Sequence, residues 1–316
     1  MKTLYSEIKP YHSFFLETGC KHAVYVEQSG NPDGMPVIFL HGGPCSGTKP
    51  EHRRFFNPEI YRIILFDQRG CGLSLPFGEL ENNTTQNLID DMERIRNQLA
   101  IDQWLVFGGS WGGALALLYA QRHKDKVTGL IVRGVFLARQ GDLDWFTKDG
   151  AGKIYPEQWQ RLIASIPGQG GNLVQGLCDA LWGEDETAKR RVAKEWMAWG
   201  GLVSLGNEYQ PKLKGESVTE KMVKQVCMEL YYAGHRYFIE ENQILDNCGC
   251  LTKIPTVIIH GRYDFVCPME AGYSLHKALP NAEYIVLPYA GHVAQGEEMI
   301  DALVAATDRF AAQRRL

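Results

Sequence analysis

The chain has 316 residues, with 33 Lys plus Arg against 37 Asp plus Glu and a formal net charge of −4. Hydrophobic residues at 45% and charged residues at 22% exclude a disordered, collagen-like or coiled-coil chain. Weak acidity, with no basic knot longer than Lys189-Arg190-Arg191 and Arg314-Arg315, speaks against a nucleic-acid partner.

The most continuous apolar run, residues 114–120, is far below the roughly 20 residues a bilayer requires, so no membrane partner is expected. Residues 1–15 are interrupted by Glu7, Lys9 and His12, against the apolar core of a signal peptide. The eight cysteines contain no CxxC pair, only Cys248-Gly249-Cys250. They read as reduced thiols of a cytoplasmic protein. No Cys/His cluster has ligand spacing, so no metal is expected.

In chain order, short apolar runs end in glycine turns. Residues 37–40 run into His41-Gly42-Gly43-Pro44, and residues 62–66 into Asp67-Gln68-Arg69-Gly70. Residues 104–107 end in Gly108-Gly109-Ser110, and residues 127–132 in Arg133-Gly134. Such runs suit buried strands of a parallel sheet. Between them, Thr84 or Thr85 caps a helix whose apolar positions Leu88, Met92, Ile95 and Leu99 share one face. Residues 112–121 predict a second, buried helix. The alternation implies right-handed βαβ crossovers and a doubly wound, mostly parallel α/β sheet. The same texture returns with strands at 256–259 and 282–287 and a closing helix at 299–310.

The middle third differs. It has few strand-like runs, and residues 184–199 place Val192, Trp196 and Trp199 opposite a charged face. Trp145, Trp159 and Trp182 also fall here, as aromatics filling a small core of their own. Residues 1–135 and 246–316 are therefore expected to form one discontinuous core, and 136–245 a helical cap inserted between two strands.

The sharpest chemical signal is Gly108-Gly109-Ser110-Trp111-Gly112-Gly113, a G-x-S-x-G match between a strand and a helix. This arrangement holds a serine hydroxyl exposed on a tight turn at the carboxyl edge of a sheet. A serine needs a base, and the base needs a carboxylate to orient it. Asp264, after the strand at 256–259, and His292, after the strand at 282–287, stand in the order this fold uses. His260 is the rival base but precedes Asp264. Two donors must meet the oxyanion of the intermediate. One is the Trp111 backbone N–H. The other comes from the glycine turn, with Gly43 preferred and Gly42 second. Cys45, Cys71 and Cys267 lie near these residues in sequence and read as bystanders.

HGGP at 41–44, LFDQRGCGLS at 65–74, GGSWGG at 108–113, VRGVF at 132–136, HGRYDFVCP at 260–268 and AGH at 290–292 resemble the proline iminopeptidases. The likeness covers about residues 23–165 and 253–310. It implies an α/β-hydrolase fold with a helical cap, no cofactor, and release of an N-terminal proline from small peptides. It also implies two cap glutamates around the substrate's α-amino group, in stretches reading W-E-G and I-E-x-H-Y-F. Here those stretches align with Trp199-Gly200-Gly201 and with Ala233-Gly234-His235-Arg236-Tyr237-Phe238, so both glutamate positions read as glycine, Gly200 and Gly234. Glu195, Glu229, Glu240 and Glu241 are the substitutes within reach. Arg236, if it faces the pocket, would meet a substrate carboxylate. Two substrate classes stay open: a short peptide with a free N-terminal proline, or a small acyl compound without that amine. A hydrolase-fold binding protein without turnover is a third reading, disfavoured by the complete Ser, Asp and His set.

Overall fold

The computed structural model describes residues 1–148, 150–168, 173–210 and 217–313; Arg314 and Arg315 of the C-terminal basic knot lie outside them. Eight strands form one sheet: β1 (His12–Glu17), β2 (Ala23–Gly30), β3 (Met35–Leu40), β4 (Tyr61–Phe66), β5 (Trp104–Ser110), β6 (Val127–Val135), β7 (Thr256–Gly261) and β8 (Glu283–Leu287). Their spatial order is β1-β2-β4-β3-β5-β6-β7-β8. From β4 to β8 every pair is parallel, while β1 and β2 pair antiparallel at one edge. The six parallel strands are those expected from the apolar runs. The antiparallel edge carries Glu27, Gln28 and other polar residues and has no comparable apolar signature.

Side chains alternate across the sheet, as the period of two requires. Ile38, Leu40, Val106, Leu130 and Val132 face helices α1 (Thr85–Gln98) and α2 (Trp111–Arg122). Val37, Phe39, Leu105, Phe107 and Ile131 fill the other face. Thr84 caps α1, its hydroxyl accepting the Asn87 N–H at 3.3 Å. Leu88, Met92 and Ile95 are buried on one stripe as predicted.

Between β6 and β7 the described chain is helical: α3 (Gln140–Thr147), α4 (Ala151–Ile154), α5 (Pro156–Ser165), α6 (Leu173–Trp182), α7 (Glu186–Leu205), α8 (Glu220–Gly234) and α9 (Gln243–Asp246). Helix α7 starts where Asp185 caps the Thr187 and Ala188 N–H groups, and runs on through Gly200 and Gly201, a full turn beyond the expected end. Val192, Trp196 and Trp199 form its buried stripe, but Trp182 is half exposed, so it does not fill a core. The helices share the core beneath α2 rather than standing apart: Tyr232 and Tyr237 pack on Trp111, each with ring centroids 5.3 Å away. The Tyr232 hydroxyl also donates to Asn83 Oδ1 at 2.8 Å. Helices α10 (Met269–Ala278) and α11 (Glu297–Gln313) complete the chain, with Met299, Leu303, Ala306 and Phe310 of α11 closing the second sheet face. No described helix is long and apolar enough to cross a membrane.

Candidate active site

β5 ends and α2 begins at Ser110, which adopts φ 57° and ψ −127°. A side-chain-bearing residue at positive φ is strained and persists only where its surroundings enforce it. The enforcement is visible. A Cβ on Gly108 would overlap the Gly112 carbonyl, and one on Gly112 would overlap the Leu40 carbonyl. Only glycines let the turn close this tightly against β3.

Asp264 and His292 arrive from the loops after β7 and β8. His292 Nδ1 lies 2.8 and 3.0 Å from the two Asp264 carboxylate oxygens. Asp264 also accepts the Val266 and Cys267 N–H groups at 3.0 and 2.8 Å. Burial raises the Asp264 pKa, but His292, His260 and the Cys267 N–H outweigh it and hold the carboxyl below its ordinary range. The carboxylate is thus charged and holds one imidazole nitrogen as its partner. Ser110 and His292 line one cavity of about 780 Å³ together with the turn Gly42-Gly43-Pro44.

The rival His260 has no nitrogen to spare. Its Nδ1 accepts the Val135 N–H at 3.2 Å, and its Nε2 meets the Cys267 carbonyl at 3.0 Å. Burial drives its pKa down, against the partial support of Asp264. It is a buttress behind Asp264.

The glycine turn is equally determined. The Gly42 carbonyl accepts the Ser46 N–H at 3.2 Å and lies 3.0 Å from His41 Nδ1. In a trans peptide the N–H points opposite the carbonyl, so the Gly43 N–H is directed away from that turn. Gly43 has φ 113°, a region that favours glycine. Gly42 packs directly on the serine: a Cβ there would stand 3.3 Å from Ser110 Cβ. Trp111 is the first residue of α2, so its N–H has no partner within the helix.

A hydrogen-bond strut, which the sequence did not disclose, ties these two donors together. The buried Gln68 side chain accepts the Trp111 indole N–H at 2.9 Å and donates to the His41 carbonyl at 2.9 Å. Its backbone N–H donates to His41 Nε2 at 3.0 Å. Asp67 locks the rest of the loop, accepting from the Thr48 N–H at 2.6 Å and the Leu73 N–H at 2.7 Å.

The helical side of the cavity corrects two expectations. Gly234 is exposed at the end of α8, facing Cys178, and Arg236 is exposed beyond it; neither lines the cavity. The turn after α8 sends Tyr237 inward, and its neighbours therefore point out. Gly200 does line the cavity, and open space lies where its side chain would be. Of the four candidate glutamates only Glu229 is there. Its carboxylate accepts the Trp196 indole N–H at 2.8 Å and the Gln225 amide at 3.2 Å. Burial raises its pKa against those two hydrogen bonds, and no described cation pairs with it. Glu195 is spent on Arg161 at 3.0 Å, Glu241 on the Gln140 N–H, and Glu240 is exposed.

Cys45 and Cys71 are buried near each other below the glycine turn. Cys267 lines the cavity with its thiol close to Asp264 and His292, within 4.8 Å of their ligand atoms. Burial and the Asp264 charge raise its pKa well above the ordinary thiol value, so it is a neutral wall and not a thiolate.

The alpha/beta hydrolase fold family model matches residues 35–298. A probable proline iminopeptidase of Leptolyngbya boryana is 44% identical, over 99% of this chain and 98% of its own. The proline iminopeptidase of Arabidopsis thaliana is 43% identical, over 98% of this chain and 83% of its own. Among solved structures, a proline iminopeptidase-related protein of Thermus thermophilus superposes with a TM-score of 0.58 at 21% identity, over 96% of this chain and 97% of that one. A likeness at that identity speaks for the fold alone. Curated relatives at 41% to 44% identity over nearly the whole chain carry the assignment further: this hydrolase belongs to the proline iminopeptidase family of α/β-hydrolases.

Proposed function

We propose that the protein releases an N-terminal proline from short peptides through an acyl-enzyme on Ser110. His292 removes the Ser110 proton as the hydroxyl attacks the prolyl carbonyl, and Asp264 holds the imidazole and stabilises its protonated form. The N–H groups of Gly43 and Trp111 receive the developing oxyanion. His292 then returns the proton to the departing amine, and water repeats the sequence to free proline. The observation that carries the reading is the partly buried carboxylate of Glu229 in the same cavity as Ser110, with no cation paired to it among the described residues. A substrate ammonium supplies the charge that this carboxylate lacks. The relatives named proline iminopeptidase support the same assignment.

One observation favours a second reading. The space beside Gly200 is empty, and Gly234 lies outside the cavity, so a larger acyl group without an amine has room. Turnover of proline p-nitroanilide, its N-acetyl form and an aryl acetate separates the two. The first reading expects strong preference for the free-amine substrate; equal or better use of the blocked one replaces it with the second. Ser110→Ala is expected to abolish turnover of all three and labelling by a fluorophosphonate.

A further inference from the structure

The cavity also holds a cation that the catalytic scheme leaves unused. Arg133 stands near the end of β6, in register with Gly109, the residue before the nucleophile. Its guanidinium lies against the Gly109 backbone and lines the cavity with Ser110 and His292. One nitrogen, Nη1, donates to the His292 carbonyl. Among the described residues no carboxylate oxygen forms an ion pair with it within 4.0 Å. Burial pushes its pKa down, and only the more distant Asp264 and Cys267 oppose that. Beside it His52 stacks on Phe39 with centroids 4.3 Å apart, and burial, then His41, Lys49 and Arg133, push its pKa down to about 3.

A partly buried guanidinium with a single carbonyl acceptor has spare donors in the fork geometry that suits a carboxylate. Arg133 and Glu229 line the same cavity from different elements, β6 and α8. Arg133 continues the side of Phe107 and Ile131, whereas Glu229 belongs to α8, which packs on Trp111.

Building on the function proposed above, we propose that Arg133 binds the α-carboxylate of the departing residue, so that the preferred substrate is a zwitterionic dipeptide. The amine end meets Glu229 and the carboxylate end meets Arg133, with the scissile carbonyl between them at Ser110. In a dipeptide the carboxylate lies one residue past the scissile bond. Each added residue moves it by roughly 3.5 Å, out of reach of a fixed guanidinium. The arginine that reads a carboxylate is therefore on the sheet and not Arg236 of the cap.

The test compares kcat/KM for prolyl-alanine and prolyl-alaninamide in the full-length enzyme. A charge-assisted pair predicts preference for the acid by about 10- to 100-fold. Arg133→Gln is expected to bring the acid-to-amide ratio near one, and Arg133→Lys to leave it intermediate. The ratio is independent of any general loss of activity through the His292 loop. A wild-type ratio of one or less overturns the proposal, as does a ratio that Arg133→Gln leaves unchanged. If Arg133→Gln does not fold, the wild-type ratio and the Arg133→Lys ratio decide. If neither peptide is cleaved, the prolyl reading fails by itself, and protection of Ser110 from fluorophosphonate decides on Arg133. Protection by alanine but not alaninamide upholds the carboxylate subsite, and no protection by alanine overturns it.

Discussion

The sheet and the helical insertion contribute different kinds of group to one cavity. Ser110, Asp264, His292, the Gly42-Gly43 turn and Gln68 all follow strand ends, and backbone hydrogen bonds or tight glycine contacts fix each of them. Glu229, Trp196 and Gly200 sit on helices α7 and α8, where side-chain packing sets their position. In the proposed reaction Ser110, Asp264, His292 and the Gly42-Gly43 turn act on the bond that breaks, which every substrate shares. In the same scheme the helical groups meet the amine end of the substrate, and of the strand-end groups Arg133 alone meets a part that differs, its carboxylate end. Damage to the first set should lower kcat for all substrates alike, and damage to the second should change which substrate is preferred.

The most severe test of that division on the sheet side is Asp264→Asn. The amide keeps the size but removes the charge opposite His292 and favours the wrong tautomer. Turnover should fall by about 10³- to 10⁴-fold, equally for proline p-nitroanilide and an aryl ester. An effect confined to one substrate would break the comparison.

On the helical side the counterpart is Glu229→Gln. It should lower kcat/KM for the free-amine substrate by about 10- to 100-fold, the range of a hydrogen bond to a charged group, with little change for the aryl ester. The pH dependence carries the same distinction. Glu229 is raised by burial, so in the free enzyme its carboxylate is lost at a higher pH than an ordinary glutamate. As pH falls through that raised value, KM for the free-amine substrate should climb. Glu229→Gln should remove this acid limb. An acid limb in KM that persists in the variant would sink the amine assignment.

Gln68→Leu probes the sheet side more gently. It leaves the Trp111 indole N–H and the His41 carbonyl without their partner and loosens the distance between the two oxyanion donors. The expected result is a fall in kcat of about 10-fold for every substrate, smaller than loss of a donor itself, with KM nearly unchanged. A rise in KM for one substrate only would move Gln68 into the recognition set.

The same division explains what could be read from the residues. That Ser110, His292 and Gly43 would meet at one cavity, with Asp264 beside His292, was legible because each position is bound to a strand end or a glycine turn, and both leave local marks. The single-face helix at Leu88, Met92 and Ile95 was legible for the same reason. β1 and β2 were not, because an antiparallel edge with polar residues such as Glu27 and Gln28 has no continuous apolar run. In the insertion, alignment placed Gly234 and Arg236 at the cavity, but the turn at Tyr237 reverses which residues point inward. The candidate glutamate that does line the cavity is Glu229, five positions before Gly234. Arg133 stood in plain view inside VRGVF, yet nothing local says that a strand-end arginine lacks a carboxylate partner. That fact depends on contacts between β6 and the loop of His292.

The smallest effect tests the helical side by addition. Gly200 lines the cavity on α7, and a Cβ there meets nothing within 4 Å. Glutamate is a better helix former than glycine by under 1 kcal/mol, so Gly200→Glu should leave the melting temperature unchanged or slightly raised. The new carboxylate would share the substrate ammonium with Glu229, in the place the family's W-E-G stretch implies. Two carboxylates around one cation repel each other when the site is empty, which offsets part of their combined attraction. The net expectation is a fall of a fewfold in KM for proline p-nitroanilide, with no gain for its N-acetyl form. A gain for the blocked substrate would mean that the space beside Gly200 takes the acyl group rather than the amine, and the second reading of the cavity would then be the correct one.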